Sequence, residues 1–150
     1  MIYPKKAEIS ALDLLSKFSY KKPPECQKMQ QIKIENIIKV SSNKIYAGAH
    51  WTERNKLKES YLWLTKSPFK KLKPVSRKVD LDFQFFFASR PLDSSNLGYM
   101  AKMIEDCLVT YEILQDDSIK YVGRISLESS KSKEKDQDYC ILTLNEKTIL

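Results

Sequence analysis

Histidine, glycine and cysteine are all scarce in this 150-residue chain, which has 1 His, 3 Gly and 3 Cys. So few glycines exclude a collagen-like chain, and a 42% hydrophobic content excludes a wholly disordered one. The cysteines, Cys26, Cys107 and Cys140, form no Cys-x-x-Cys pair, and only His50 is available to join them. This pattern disfavours a structural zinc site and fits the reducing cytoplasm.

Long apolar segments are also missing. No apolar run exceeds about five residues, the length reached around Phe83 to Ala88, whereas about 20 are needed to span a bilayer. The first residues, Met1 to Lys6, lead into a helical pattern without an uninterrupted apolar core or a small-residue cleavage site. We therefore expect no transmembrane segment, no secretion and no membrane partner.

Acidic residues are too few to balance the basic ones. The 26 Lys and Arg against 19 Asp and Glu give a formal net charge of +7. Such a surplus favours a polyanionic partner such as nucleic acid, although many small basic proteins bind no anion specifically.

The first 31 residues are predicted to be an N-terminal extension. Ile9, Leu12, Leu15 and Phe18 recur at roughly helical spacing, and residues 21–24, Lys-Lys-Pro-Pro, interrupt the pattern. This indicates a short helix and a linker, followed by one domain over 32–150.

Within that domain, dense β-branched residues or polar-apolar alternation predict strands over 32–40, 78–88, 119–128 and 138–145. Helical spacing predicts a helix over 52–65 and a second one with the apolar face Leu97, Met100, Ala101, Ile104 and Leu108. Pro68 and Pro74 enclose a basic loop, and a polar hairpin over 129–137 is expected to join the last two strands as an antiparallel pair. The order β-α-β-α-β-β predicts an α+β sandwich, a mixed sheet with helices on one face.

Acidic side chains flank the second predicted helix at both ends. Asp93 and Asn96 precede it, Lys102 and Asp106 lie along it, and the pair Asp116-Asp117 follows it. If the fold brings these groups to one edge, their like charges need a cation, and carboxylate oxygens suit Mg²⁺ or Mn²⁺. Taken singly, the same residues are also typical of a helix cap, a surface i, i+4 pair and a solvated turn.

Together, these motifs resemble a known family. Asp93-Ser94-Ser95-Asn96, the helix segment from Lys102 to Leu108, and Ile113 to Ser118 resemble the signature of the RusA family of Holliday-junction resolvases, with 4 residues from Lys102 to Asp106 and 10 from Asp106 to Asp116. Upstream, Ser42-Asn43-Lys44-Ile45-Tyr46 resembles that family's Asn-containing stretch. The resemblance covers roughly residues 32–145 and leaves 1–31 unexplained.

The resemblance implies a RusA-like nuclease domain over 32–150, acting as a homodimer that binds four-way DNA junctions and cuts two strands hydrolytically. It implies that Asp93 and Asp117, with Asp116, hold Mg²⁺ or Mn²⁺. Lys102 would offset charge on the phosphoryl oxygens, and Asp106 would orient Lys102 or a metal-bound water.

This chain departs from the family pattern at the helix start. Ser95 stands where the family has a second aspartate, and five residues rather than two separate Asn96 from Lys102. Asp80 and Asp82 are either a replacement or solvent-facing strand positions. Because a hydroxyl is a poorer Mg²⁺ ligand than a carboxylate, an alternative is a nucleic-acid-binding module with a weakened metal site.

The basic residues of the domain predict the nucleic-acid contacts. Cations bind phosphates, amides bind phosphates or bases, and exposed aromatics stack on unpaired bases. The candidates are Asn43, Lys44, Tyr46, His50, Arg54, Lys70, Lys71, Lys73, Arg90 and Asn96. Trp63, at helical spacing, is expected to belong to the core.

Overall fold

Four strands and three helices account for most of residues 28–147, the part of the chain that this computed structural model describes. In chain order they are β1 (Met29–Glu35), α1 (Ser42–Tyr46), α2 (Trp51–Phe69), β2 (Val79–Phe87), α3 (Gly98–Thr110), β3 (Val122–Lys131) and β4 (Tyr139–Glu146). A single 3₁₀ turn, Ser94–Asn96, precedes α3. The predicted α+β class is confirmed.

The sheet is mixed, as predicted, and its strand order is β1-β4-β2-β3. β2 pairs with β3 in parallel, whereas β4 pairs antiparallel with both β1 and β2. The parallel pair requires a crossover, and α3 supplies it. The turns at the two ends of α3 therefore join neighbouring strands.

The predicted hairpin between the last two strands is wrong. β4 lies between β1 and β2, and residues 132–138 cross the end of β2, where Asp138 accepts the Ala88 amide proton at 2.7 Å. The reason is burial. Cys140, Leu142 and Leu144 of β4 are fully buried and need neighbours on both sides, while the serine-rich β3 tolerates an edge position.

The core lies between one face of the sheet and the helices. Phe83, Phe85 and Phe87 alternate along β2 and stack in a row with ring centroids 6.1 and 6.3 Å apart. They share one buried cluster with Met100 and Ile104 of α3. The period-two alternation of β2 therefore places its phenylalanines under the helices and its polar residues on the opposite face.

Element boundaries differ from the predictions at four places. β1 starts at Met29 and ends at Glu35, because Asn36 has a φ of 56° that a strand cannot continue. β3 spans Val122–Lys131 and so extends into the predicted hairpin segment. The short helix α1 lies after the predicted first strand, in residues for which no element is predicted. α2 extends through Pro68 into the predicted loop, because Phe69 is buried and packs edge-on to Tyr111 at 6.0 Å.

Two earlier expectations concern the chain ends and membranes. The predicted helix and most of the linker over 1–31 lie outside the described residues, although 29–31 belong to β1. Within residues 28–147, none of the helices combines the length and the apolar character that crossing a membrane requires.

Tyr61 gives a stability test of the α2–sheet contact. Its side chain is fully buried, and its hydroxyl donates to the Ile38 carbonyl at 2.7 Å. Tyr61→Phe removes the donor of this hydrogen bond, so we expect a loss of about 0.5–1.5 kcal/mol in the free energy of unfolding. Urea unfolding would measure it, and an unchanged midpoint would contradict the role assigned to this bond.

Candidate functional site

The structure brings three of the predicted site residues together beside α3. Lys102 Nζ lies 3.1 Å from Asp106 Oδ1, one helical turn away, and also hydrogen-bonds Asp117 Oδ2. The Lys102–Asp106 contact follows from the i, i+4 spacing on a helix. Asp117 comes from the segment that leaves the other end of α3, so the chain must run back along the helix.

The end of α3 explains that reversal. Glu112 adopts the left-handed conformation with φ 60°, and the Ile113 amide donates back to the Leu108 carbonyl at 2.9 Å. This is the helix-ending geometry in which the residue after the cap turns the chain sharply. Ile113 and Leu114 are then buried, and Ile113 also accepts from the Val75 amide at 2.9 Å, which fixes the start of the returning segment.

The opposite charges of Lys102 and Asp117 shift each other's pKa, so that both groups stay charged at neutral pH. Partial burial disfavours a charged Lys102, but its hydrogen bonds to Asp117 and Asp106 outweigh this and raise the pKa of Lys102. The same ammonium holds the pKa of Asp117 below its usual range. At neutral pH, Lys102 is therefore a protonated cation between two carboxylates.

Glu105 adds a buried acid beside the cluster. It is 5% exposed, and burial raises its pKa, with Asp117 and Asp106 adding to the rise and Lys102 opposing it. Sequence reasoning missed Glu105 because it lies among the apolar residues of α3. The signal that could have identified Glu105 is a charged residue among apolar helix positions, since charged side chains are rarely buried.

Two predicted nucleic-acid contacts, Tyr46 and Arg54, lie near Tyr99 at the start of α3. The Ser42 hydroxyl donates to the Asn96 carbonyl at 3.2 Å and accepts from the Tyr99 amide at 3.0 Å, which ties α1 to the start of α3. Tyr46 then meets Tyr99 edge-on at 6.5 Å. Burial raises the pKa of Tyr99, nearby Arg54 opposes the rise, and Asp106 adds to it. Tyr46, Arg54 and Asp106 therefore share the surroundings of Tyr99.

Asp93 is not drawn into the cluster. It is exposed at the start of the 3₁₀ turn, where its carbonyl accepts the Asn96 amide at 2.8 Å, and its side chain makes no cap hydrogen bond. No hydrogen bond or ion pair between described residues joins it to Lys102, Asp106 or Asp117. Asp116, also exposed, lies next to Asp117 in the returning segment.

The residues as placed do not fit a divalent cation. Among residues 28–147, no group of three or more His, Cys, Asp or Glu side chains is arranged to hold a metal ion. The ammonium of Lys102 already pairs with both Asp106 and Asp117. The described groups thus form an ion cluster with an internal cation.

Asp80 and Asp82 do not replace the missing carboxylate. On the sheet face opposite the helices, Asp82 accepts from the Ser126 hydroxyl and from Asn145 at 2.8 Å. Asp80 accepts the Arg124 amide proton at 2.7 Å and pairs with Lys147 at 3.3 Å. Both carboxylates are occupied in cross-strand contacts, which favours their interpretation as strand positions.

A second feature is the concentration of cations on α1, α2 and the turn that follows. We call this the basic surface. Within residues 28–147, none of its members forms an ion pair with a carboxylate, whereas Lys33, Lys102, Arg124 and Lys147 do. The basic surface comprises Lys44, Arg54, Lys56, Lys58, Lys66, Lys70, Lys71 and Lys73.

Other predicted contacts have different surroundings. His50 caps α2, accepting the Thr52 amide proton at 3.3 Å through Nδ1, so its first role is structural. Asn43 is exposed on α1, while Arg90 is exposed after β2 and its carbonyl accepts from Lys39. Asn96, half-buried, contributes its backbone to the α1–α3 contact.

The expectation that Trp63 belongs to the core is wrong, because its side chain is 75% exposed. The buried residues of α2 are Tyr61, Thr65 and Phe69, four residues apart. Trp63, two residues after Tyr61, is rotated by about 200° to the outer side of the helix. Tyr46 and Trp51 are 73% and 66% exposed, so three large aromatics accompany the basic surface.

Lys102→Met tests the internal-cation arrangement. Because Lys102 holds the pKa of Asp117 down, its removal should raise that pKa towards the ordinary value of about 3.9. A carboxyl whose pKa is lower in the folded than in the unfolded state stabilises the fold at pH values above its unfolded-state pKa. This contribution is lost as the pH falls through the folded-state pKa. The stability difference between wild type and variant should therefore shrink below about pH 4.

The measurement is an NMR titration of the Asp117 carboxyl carbon in both proteins. Lys120→Met, an exposed lysine outside the cluster, is the matched control and should leave the Asp117 titration unchanged. An Asp117 pKa that is the same in wild type and Lys102→Met would refute the ion cluster.

In comparisons with known proteins, no protein-family model and no curated protein matches the chain.

Proposed function

We propose that this protein binds nucleic acid through the basic surface. The observation that carries the proposal is the set of eight cations on α1, α2 and the following turn that form no ion pair with a carboxylate of the described residues. α2 also carries two exposed carboxylates, Glu53 and Glu59, so the cations remain in excess. Such a positive surface gains free energy when phosphates neutralise it and release their counterions.

The outer side of α2 has a suitable shape for a phosphate backbone. Lys56, Trp63, Lys66 and Lys70 project within a sector of about 80°, at 100° per residue, with Glu59 as the carboxylate among them. α2 has 19 residues and is therefore about 28 Å long. One DNA strand presents a phosphate about every 3.4 Å along its axis, so this length covers several phosphates.

Branched DNA is the proposed target because of the resemblance to the RusA signature. Purified protein is mixed in EDTA with a synthetic four-way junction and with a duplex of the same total sequence, and binding is measured at several salt concentrations. We expect the junction to bind more tightly than the duplex, with the logarithm of affinity falling linearly with the logarithm of salt. No binding of either DNA at low salt would overturn the proposal.

A second candidate is the metal-dependent endonuclease that the same resemblance implies. The convergence of Lys102, Asp106 and Asp117 favours it, because these are the groups to which the resemblance gives phosphate-neutralising and ligand roles. The arrangement of these residues argues against a metal site, because Lys102 pairs with both Asp106 and Asp117. Asp93 forms no hydrogen bond or ion pair with either residue within the described part of the chain.

The two candidates separate in one assay. A labelled junction is incubated with the protein in Mg²⁺, in Mn²⁺ and in EDTA, and both binding and strand cleavage are followed. Cleavage that requires the metal favours the endonuclease. Binding in EDTA without cleavage in either metal favours the binding module. The endonuclease also implies a homodimer, which sedimentation velocity with and without junction DNA would detect.

A further inference from the structure

A groove lies between β1 and the C-terminal half of α2, separate from the Lys102 cluster. Its volume is about 860 Å³, and β1 with Asn36 lines one side. The other side consists of Trp63, Leu64, Ser67, Pro68, Lys71 and Leu72. β1 is an edge strand, so the groove follows an open border of the sheet.

An exposed aromatic ring and Lys71 line the groove, and Lys66 lies beside it. Trp63 is the most exposed of the chain's two tryptophans, and Lys66 Nζ lies 5.6 Å from its ring centroid. Lys66 and Lys71 form no ion pair with a described carboxylate. The carboxylate in the lining, Glu35, lies 3.5 Å from Lys33 Nζ, which also hydrogen-bonds Glu134 at 2.5 Å.

We infer that this groove binds an unpaired, single-stranded segment of nucleic acid, with a base stacked on Trp63 and its phosphates beside Lys66 and Lys71. Aromatic rings flanked by cations along a groove are the usual recognition elements for single strands, because every base has a stacking face. The groove has the size of sites for small ligands, about 300–1,000 Å³. It is therefore large enough for a base and its neighbouring phosphate.

An added peptide strand on β1 fits less well. Gln30 donates to the Lys73 carbonyl at 3.0 Å and accepts from the Lys73 amide at 2.7 Å. This pair of bonds ties the start of β1 to the turn after α2, which obstructs one end of the edge. The excess of cations over carboxylates also favours a polyanion over a peptide of ordinary composition.

The inference rests on the proposed nucleic-acid function and extends it to unpaired strands. Branched DNA exposes unpaired bases at its centre, so a single-strand groove next to a phosphate-binding surface would distinguish a junction from a plain duplex.

The test compares Trp63→Ala with Trp51→Ala, which removes the other exposed tryptophan of α2 from a position outside the groove. The probes are a short oligothymidylate and a blunt duplex. We expect Trp63→Ala to weaken oligothymidylate binding about tenfold and duplex binding less than about twofold. Trp63→Phe, which keeps a stacking ring, should restore most of the loss, and Trp51→Ala should leave the ratio of oligothymidylate to duplex affinity at its wild-type value.

A direct signal comes from fluorescence. The chain has 2 tryptophans, so Trp51→Phe leaves Trp63 as the single reporter. Stacking on a base should quench its emission strongly as oligothymidylate is added, and duplex should quench it much less because its bases are paired. Because Trp63 is exposed, these variants should unfold at the wild-type denaturant concentration.

Three results would each refute the inference. If Trp63→Ala binds oligothymidylate like wild type while the basic surface still binds DNA, the groove assignment fails and the proposed function stands. If Trp63→Ala weakens duplex and single strand equally, Trp63 is a general contact and the groove is not selective. If the wild type binds no nucleic acid, both proposals fail together.

Discussion

Replacing Lys70, Lys71 and Lys73 together with alanine is expected to weaken junction and duplex binding about a hundredfold at 0.1 M salt. These lysines follow one another at the end of α2, are exposed, and form no ion pair with a described carboxylate. Each lysine that contacts a phosphate releases about 0.9 of a counterion. The slope of log affinity against log salt should therefore fall by up to about three.

The matched control removes the same charge elsewhere. Lys120, Lys133 and Lys135 are also exposed but lie before β3 and in the connection to β4. Their triple alanine variant has the same net charge as the first. If nucleic acid binds the basic surface, the control should lose less than about fivefold in affinity through the long-range field alone. Equal losses in the two variants would mean that net charge, and not this surface, drives binding.

Local patterns predicted the parts of the fold that depend on neighbours in sequence. The alternation around Phe83 and Phe85 located β2, and the apolar spacing from Leu97 to Leu108 located α3. The i, i+4 relation likewise predicted the Lys102–Asp106 contact. In each case, the side chains that matter lie within one or two turns of each other, so their geometry is fixed by the backbone period.

Pairings between distant segments were not predictable in this way. Nothing in the serine-rich pattern of β3 or the alternation of β4 states which strand occupies the sheet edge. That order depends on how much apolar area each strand buries against its neighbours. The hairpin prediction failed for this reason: adjacency in sequence was taken for adjacency in the sheet.

In the candidate site, too, contacts between sequence neighbours were predictable and contacts between distant segments were not. That Asp117 reaches Lys102 depends on the left-handed Glu112 and on the buried Ile113, neither of which helical periodicity reports. The exposure of Trp63 could have been inferred from the four-residue spacing of Tyr61, Thr65 and Phe69. Its groove could not, because the opposite wall is β1, about 30 residues earlier in the chain.

Asp117→Asn gives the largest effect if the endonuclease interpretation is right. The resemblance assigns this carboxylate to metal binding, so its loss should lower junction cleavage by more than about a hundredfold. Junction binding should stay unchanged or tighten slightly, because one negative charge leaves the neighbourhood of Lys102 while the basic surface is untouched. Electrophoretic mobility shifts in EDTA and single-turnover cleavage in Mg²⁺ measure the two properties separately.

The control for this variant is Asp136→Asn, which removes one exposed carboxylate from the connection between β3 and β4. Asp136 has a φ of 60°, a conformation that asparagine tolerates, so the fold should be unaffected. Cleavage and binding should match the wild type. If Asp117→Asn loses binding as much as cleavage, the Lys102–Asp117 pair is structural and the predicted site is wrong. If the wild type binds junctions without cutting them and Ser95→Asp confers cutting, the chain is a binding module whose departure at Ser95 weakened the metal site.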